Sequence, residues 1–298
     1  MKKFIQTTFL LFSIILVILE LAIRGLGLAG STMPSTKING EYRYIPGSKG
    51  IWVKGPFANI SSTYSINKQG FNSVISDYKN DSNEFKIALI GDSYIEGLHV
   101  DVERSIGRTI EDLYFDRDIS VHEYGISGWN VHNFIQIANE IKNEYNLIFV
   151  LITDKDLSET IKSNAEPEIP SWPRKLYSNF HTLRYLNINR GLIQRLREIG
   201  PRSIHFSHQS IERKPRYSKL NEFPANTVFL YEESNLKSFP SHRKFLKIEH
   251  IKQPKDFGKV DSHWNLNGRY NCAFAIVNYV RMQYHSNIAP SGFKPETF

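Results

Sequence analysis

The sequence predicts an α/β protein, three layers deep with a mostly parallel central sheet, preceded by one membrane-length helix. Three observations predict it. Short apolar runs such as Lys86–Ile90 and Asn146–Ile152 lack polar alternation, as expected of strands buried on both faces. Those runs alternate with amphipathic stretches of helical period, the pattern of a layered α/β domain. The first residues, "MKKFIQTTFLLFSIILVILELAIRGLGLAG", carry a basic start and an apolar run from Phe4 to Ile23.

That run is long enough to cross a hydrocarbon core, which takes about 20 helical residues. A cleaved signal peptide has a shorter apolar region, roughly 7–15 residues. "GLA" at Gly27–Ala29 nevertheless resembles a cleavage site. Two readings stand, an uncleaved anchor over 1–24 and a cleaved leader. Both place the rest of the chain outside the cytoplasm. Lys2 and Lys3 on one side against Arg24 on the other favour an N-terminus held inside. Residues 25–60, rich in Gly, Ser and Pro, read as a juxtamembrane linker. Residues 61–298 read as the domain.

Within the domain, "SIGRTIEDLYF" puts Ile106, Ile110, Leu113 and Tyr114 on one helical face. "ISVHEYG" reads as a second strand. "WNVHNFIQIANEIKNEY" is helical, with Val131, Phe134, Ile135, Ala138 and Ile141 in register. "NLIFVLI" is a third strand, and "TVFLYEE" and "KFLKIEH" are two more. "NLNGRYNCAFAIVNYVRMQY" closes the domain as a helix. Between them, Arg174 to Lys219 holds eleven Lys or Arg against two Glu. There "RYLNINRGLIQRLREI" forms an amphipathic helix with Leu186, Ile193 and Leu196 inward. This basic insertion reads either as a contact for anionic lipid or acidic glycan or, more plainly, as a solvated cap over the sheet edge.

Composition excludes little else. The 298 residues carry a formal net charge of +7 and 41% hydrophobic residues, which rules out a disordered chain. With one cysteine, Cys272, no intramolecular disulfide forms. No nucleic-acid recognition motif is present. No metal or other cofactor is expected: His99, His122 and His132 show no ligand spacing and read as structural or surface residues.

The chemistry-bearing residues cluster at two places. "KIALIGDSYIEG" ends a buried strand in Gly91, Asp92 and Ser93. Ligands of open parallel sheets bind at the carboxyl ends of the strands, so Ser93 stands where a nucleophile is useful. Asp92 or Ser93 as a mere helix cap is the plainer reading. A serine nucleophile needs a base, and the base an orienting acid. "KVDSHWNLNGRY" supplies Asp261 and His263, two residues apart and so on one side of an extended segment.

Taken block by block, the chain resembles the SGNH, or GDSL-like, hydrolase superfamily. "LIGDSYIEG" resembles its first block, "GISGWN" its second and "DSHWNLNG" its fifth. "YSINKQGFNS" resembles the lead-in of membrane-anchored members. The resemblance implies a flavodoxin-like fold, Ser93 as nucleophile, His263 as base, Asp261 as acid and Gly128 in the oxyanion hole with the Ser93 amide. It departs from the pattern in "ITDKDLSE", where Lys155 takes the place of the third-block Asn, leaving Lys155 or Asn130 to complete the oxyanion hole. "DSHW" is closer to the D-x-H-W signature of the branch that moves O-acetyl groups on exported polysaccharides. The resemblance therefore implies a serine esterase acting on carbohydrate or lipid esters outside the cytoplasm. An O-acyltransferase on envelope glycans and a catalytically inactive domain binding a glycan or partner are the alternatives. A structural membrane protein that works through its basic segment is a third.

Overall fold

The computed structural model describes residues 1–81, 85–114, 119–158, 176–192, 195, 215–232 and 239–288. Helix α1 (Lys2–Gly25) is 24 residues long, apolar enough to cross a membrane, and exposed along most of its length. Two antiparallel hairpins follow, β1 (Ser35–Ile38) with β2 (Glu41–Tyr44), and β3 (Lys49–Lys54) with β4 (Ile60–Ser65).

This corrects the expected linker over 25–60. Its Gly and Pro residues punctuate two hairpins, and the boundary at residue 61 cuts through the β3–β4 ladder. Val53, Ile60 and Tyr64 are buried on alternate positions, which gives the second hairpin one core-facing side.

The central sheet has five strands, all parallel: β5 (Phe85–Gly91), β6 (Ile119–Gly125), β7 (Leu147–Leu151), β8 (Thr227–Tyr231) and β9 (Lys244–Lys247), in the order β6-β5-β7-β8-β9. Alternate residues of each central strand face opposite cores. Ala88, Ile90, Ile148, Val150 and Phe229 meet Val131, Phe134, Ile137, Ala138 and Ile141 of α4 (Val131–Ile141). Ile87, Leu89, Phe149, Val228 and Leu230 meet α3 (Ile106–Leu113) and α7 (Leu266–Ile288) through Ile106, Ile110, Cys272, Ile276 and Val280. Both faces of β5, β7 and β8 are buried, which is why these strands read as continuous apolar runs.

The first strand of the sheet lies between the second and third. In sheets of this order the ligand crevice lies where the winding reverses, here at the carboxyl ends of β5 and β7. Two short helices border it: α2 (Ser93–Glu96) directly after β5 and α5 (Asp154–Ser158) after β7.

Of the basic segment, α6 (His181–Arg190) with its flanks and residues 215–219 are described; Ile193 and Leu196 lie outside the described residues. Leu186 is half-buried. α6 packs against the end of α1 and its Arg184 is buried, while the far end of the segment meets α5 beside the sheet, where the Arg216 amide donates to Leu157 O at 3.0 Å and the Tyr217 hydroxyl to Asp154 at 3.4 Å.

Candidate active site

Strand β5 runs its apolar residues to Gly91 and then turns sharply. A Cβ on Gly91 would lie 2.4 Å from Ile95 Cγ1, so the turn closes because that atom is missing. The Asp92 carboxylate accepts from the Tyr94 amide at 3.0 Å and caps α2. Ser93 is left half-buried at the crevice. The capping reading and the nucleophile reading thus divide between neighbours: Asp92 caps and Ser93 is presented.

The second cluster arrives from the far end of the chain. Ser93 Oγ and His263 Nε2 are 2.7 Å apart. On the other side of the ring, His263 Nδ1 is 2.5 Å from Asp261 Oδ1, which also accepts from the His263 amide at 2.8 Å. A carboxylate behind Nδ1 fixes the proton there. Nε2 is then the acceptor and the serine hydroxyl the donor. Burial acts to raise the proton affinity of Asp261. The Lys54 ammonium, the His263 amide and the His263 ring outweigh it and hold the carboxyl well below its usual range.

The loop carrying this pair is built into the core. Trp264 is 2% exposed, and its indole N–H donates to Glu232, just after β8. Glu232 also binds His250 Nε2 at 2.8 Å and Lys255 Nζ at 2.9 Å. Asn265 Oδ1 then accepts from the Asn267 and Gly268 amides at 2.8 and 3.2 Å and starts α7. In "DSHWNLNG", Trp264 and Asn265 thus anchor the loop that holds Asp261 and His263 over the sheet edge.

Two site residues escaped the sequence reading. Lys54, placed there in a linker, ends β3 and sets its ammonium on Asp261 Oδ2. His99, taken there as a structural or surface residue, is 6% exposed and stacks on His263 with centroids 4.1 Å apart and planes 12° apart. Its Nε2 lies 3.4 Å from Asp261 Oδ2. Burial, with the neighbouring His263 charge adding to it, pushes His99 down to about 3, so it is a neutral ring at neutral pH. Trp52 meets the same ring in an edge contact, with centroids 4.3 Å apart and planes at 61°. Ligand atoms of His99, Asp261 and His263 lie within 4.8 Å of one another. Lys54 already sets a positive charge on that carboxylate, which disfavours a metal ion there.

The expected oxyanion donors sit on three loops at the same sheet edge. Gly128 follows β6 with φ +81°, a conformation that disfavours a side chain. The preceding Ser127 amide donates to Glu96 Oε1 at 2.9 Å. Glu96 is fully buried, also binds the Tyr44 hydroxyl, and is pushed up to about 6 by desolvation. Asn130 uses its side-chain oxygen to cap α4, accepting from the His132 amide at 3.1 Å. Lys155 is exposed at the start of α5. Its charge is felt by Asp92 and Asp156. Asp156 accepts from the Thr153 amide and hydroxyl at 2.8 and 2.7 Å. Burial, with Asp92 nearby, pushes it up to about 7.

The lead-in "YSINKQGFNS" supports this edge. Asn67 Oδ1 accepts from the Gln69 and Phe71 amides, and Asn72 Nδ2 donates to Glu96 O at 3.0 Å. It thereby fixes the end of α2.

The sequence matches no known family and no characterised protein. Among solved structures, the chain is similar to a lipolytic protein of the G-D-S-L family from Veillonella parvula, with a TM-score of 0.33, 12% identity, and coverage of 68% of this chain and 99% of that one. It is likewise similar to a family 3 carbohydrate esterase from Clostridium thermocellum, at TM-score 0.34 and 13% identity over 69% of this chain and 99% of the other. A third is a family 2 carbohydrate esterase with a carbohydrate-binding domain from Corynascus thermopiles, at TM-score 0.33 and 8% identity over 67% of this chain and 66% of that one. Similarity at this level concerns the path of the backbone and says nothing of what this chain acts on.

Proposed function

We propose that the chain is a membrane-anchored serine esterase of the SGNH type, acting outside the cytoplasm on carbohydrate or lipid esters. The observation that carries the proposal is the line from Ser93 Oγ to His263 Nε2 to Asp261, at 2.7 and 2.5 Å. Those are the contacts a nucleophile, a base and an orienting acid require. Residues 170 positions apart meet at that spacing.

In this mechanism His263 Nε2 takes the hydroxyl proton as Ser93 Oγ attacks the ester carbonyl. Asp261 holds the ring and balances the imidazolium. The Ser93 and Gly128 amides receive the oxyanion, and Lys155 adds positive charge from the crevice rim. As the tetrahedral centre collapses, His263 returns its proton to the leaving alcohol and an acyl-serine remains. Water, activated by the same ring, releases the acid. A sugar hydroxyl in place of water would make the reaction an O-acyl transfer.

The test is labelling of the folded protein by a fluorophosphonate, with hydrolysis of a soluble acetyl ester measured in parallel. Labelling should occur and be abolished in Ser93→Ala, and turnover should fall by about 10⁴-fold or more in Ser93→Ala and His263→Ala. A second reading, an inactive domain that binds a glycan, is favoured by one observation, the exposed Lys155 in place of an amide side chain. Absence of labelling in protein of intact fold would select it. Acyl transfer would be read from acetylated product formed when a glycan acceptor is supplied.

A further inference from the structure

We propose that α1 is a retained anchor docked on the domain, and that the collar around its end seats the domain on the headgroup layer of the bilayer. The proposal rests on the anchored reading of α1 given above.

Glu20 is a carboxylate in the last turns of an otherwise apolar helix, and its partners are not on that helix alone. Oε1 accepts from the His181 amide at 3.0 Å; Oε2 accepts from the Thr182 amide at 2.9 Å and the Thr182 hydroxyl at 2.8 Å. These amides open α6. Phe180, at the cap position, offers no side-chain bond to them, and a helix start leaves its first amides without partners. The cap of α6 is thus supplied from α1. Arg24, one turn on, donates to Glu20 Oε1 at 3.1 Å and to Asn179 O at 3.2 Å.

The joint extends inward. Ile23 is 3% exposed while its neighbours on α1 are open. Arg184 of α6 donates to Gly30 O at 2.9 Å, and the Tyr185 hydroxyl to Pro56 O at 3.2 Å, in the β3–β4 loop. Cleavage at Gly27–Ala29 would take away the cap of α6 and empty the seat of Ile23. Removable leaders have no reason to make such bonds.

Leu26 follows α1, Phe180 follows the Asn179 that Arg24 binds, and Leu176 lies one turn before Phe180, whose amide donates to its carbonyl; the three are 70%, 44% and 42% exposed, with Arg24 half-exposed among them. Apolar side chains beside a cation at the end of an apolar span suit the interfacial layer of a bilayer. Continuity with α1 names the bilayer as the occupant of this collar.

The experiment uses the full chain in nanodiscs of phosphatidylcholine and phosphatidylglycerol. Intact mass of protein taken from membranes should include residues 1–25. A chain beginning beyond residue 25 overturns the proposal. Hydrogen exchange over residues 177–186 should be at least about 5-fold faster in Glu20→Ala, the loss of a cap. Glu20→Gln, which keeps an acceptor, should fall between and serves if the alanine variant folds poorly. Equal exchange in all three overturns the docking. Cys272 is buried, so a nitroxide on Phe180→Cys reports the collar selectively. Its spectrum should show greater accessibility to oxygen than to a water-soluble nickel complex. Preferential access to nickel, or spin–spin broadening that reveals a second copy over the collar, overturns the seating. Failure of the esterase reading, seen as absence of fluorophosphonate labelling, would leave all these results standing.

Discussion

Replacing Lys54 by Met is the sharpest perturbation the site offers. The methylenes of the side chain are retained, so packing near β3 changes little. What disappears is the cation on Asp261 Oδ2, an oxygen of a carboxylate whose side chain is 2% exposed. The remaining neighbour of that oxygen is His99 Nε2 at 3.4 Å, a neutral ring at a long distance. A hydrogen bond to a charged group contributes about 1.5–3 kcal/mol, and orphaning a buried charge costs at the upper end of that range or beyond. Lys54 is one-third exposed, so water recovers part of the loss, and about 2 kcal/mol is expected. In a domain of this size that is a fall of roughly 4–8 °C in Tm. The sign with pH follows from Asp261, whose proton affinity is depressed in the fold. Such a group stabilises above its unfolded value near 4 and loses that contribution as pH falls through the folded value. The gap between wild type and Lys54→Met should therefore be full at pH 7 and close progressively below about pH 4. Differential scanning fluorimetry of the full chain from pH 7 to pH 3 measures it. Ester hydrolysis should drop at pH 7 as well, with kcat more affected than KM, because Asp261 holds the base rather than the substrate. A Tm within 1 °C of wild type at pH 7, with unchanged kcat, would refute the reasoning.

Other perturbations are as direct. Asp156→Asn keeps an oxygen for Thr153 and removes a carboxyl pushed up to about 7. Raised proton affinity penalises the ionised fold, so the variant should be more stable than wild type at pH 8, by about 1 kcal/mol or more. The gain should vanish below about pH 4, as urea midpoints will show. Gly128→Ala, at φ +81°, should cost about 1–2 kcal/mol and slow turnover by ~10–10³-fold through a displaced oxyanion amide. Steady-state kinetics on folded protein distinguish this from general loss of structure. Glu232→Leu leaves the buried Trp264 N–H without its acceptor and should cost about 1–3 kcal/mol. His263 should then be misplaced enough to lower kcat while Ser93 still labels slowly.

The central strands β5, β7 and β8 were legible because burial on both faces leaves a sequence-local trace, a run such as "LIFVL" with no polar alternation. The meeting of Ser93, Asp261 and His263 was foreshadowed by their neighbours in sequence: Gly91 for a tight turn, Trp264 and Asn265 for a loop locked into a core. Lys54 and His99 left no such trace. Each acts through one tertiary contact with Asp261 or His263, and nothing in their own surroundings announces it. The two hairpins hid for a different reason. "STKI" and "EYRY" are four residues long and mostly polar or half-exposed, so turn-forming Gly and Pro dominated the segment and suggested a linker. Glu20, within the apolar run, carried no local signal of its role, because its partners His181 and Thr182 lie 161 and 162 positions away.

Trimming the gene ahead of residue 61, where the recognisable blocks begin, has a practical cost. β4 would lose its only ladder partner among the described strands, and Asp261 would lose its ammonium neighbour. A shortened version made for easy purification would then test as inert, and the fault would lie with the scissors, not with Ser93.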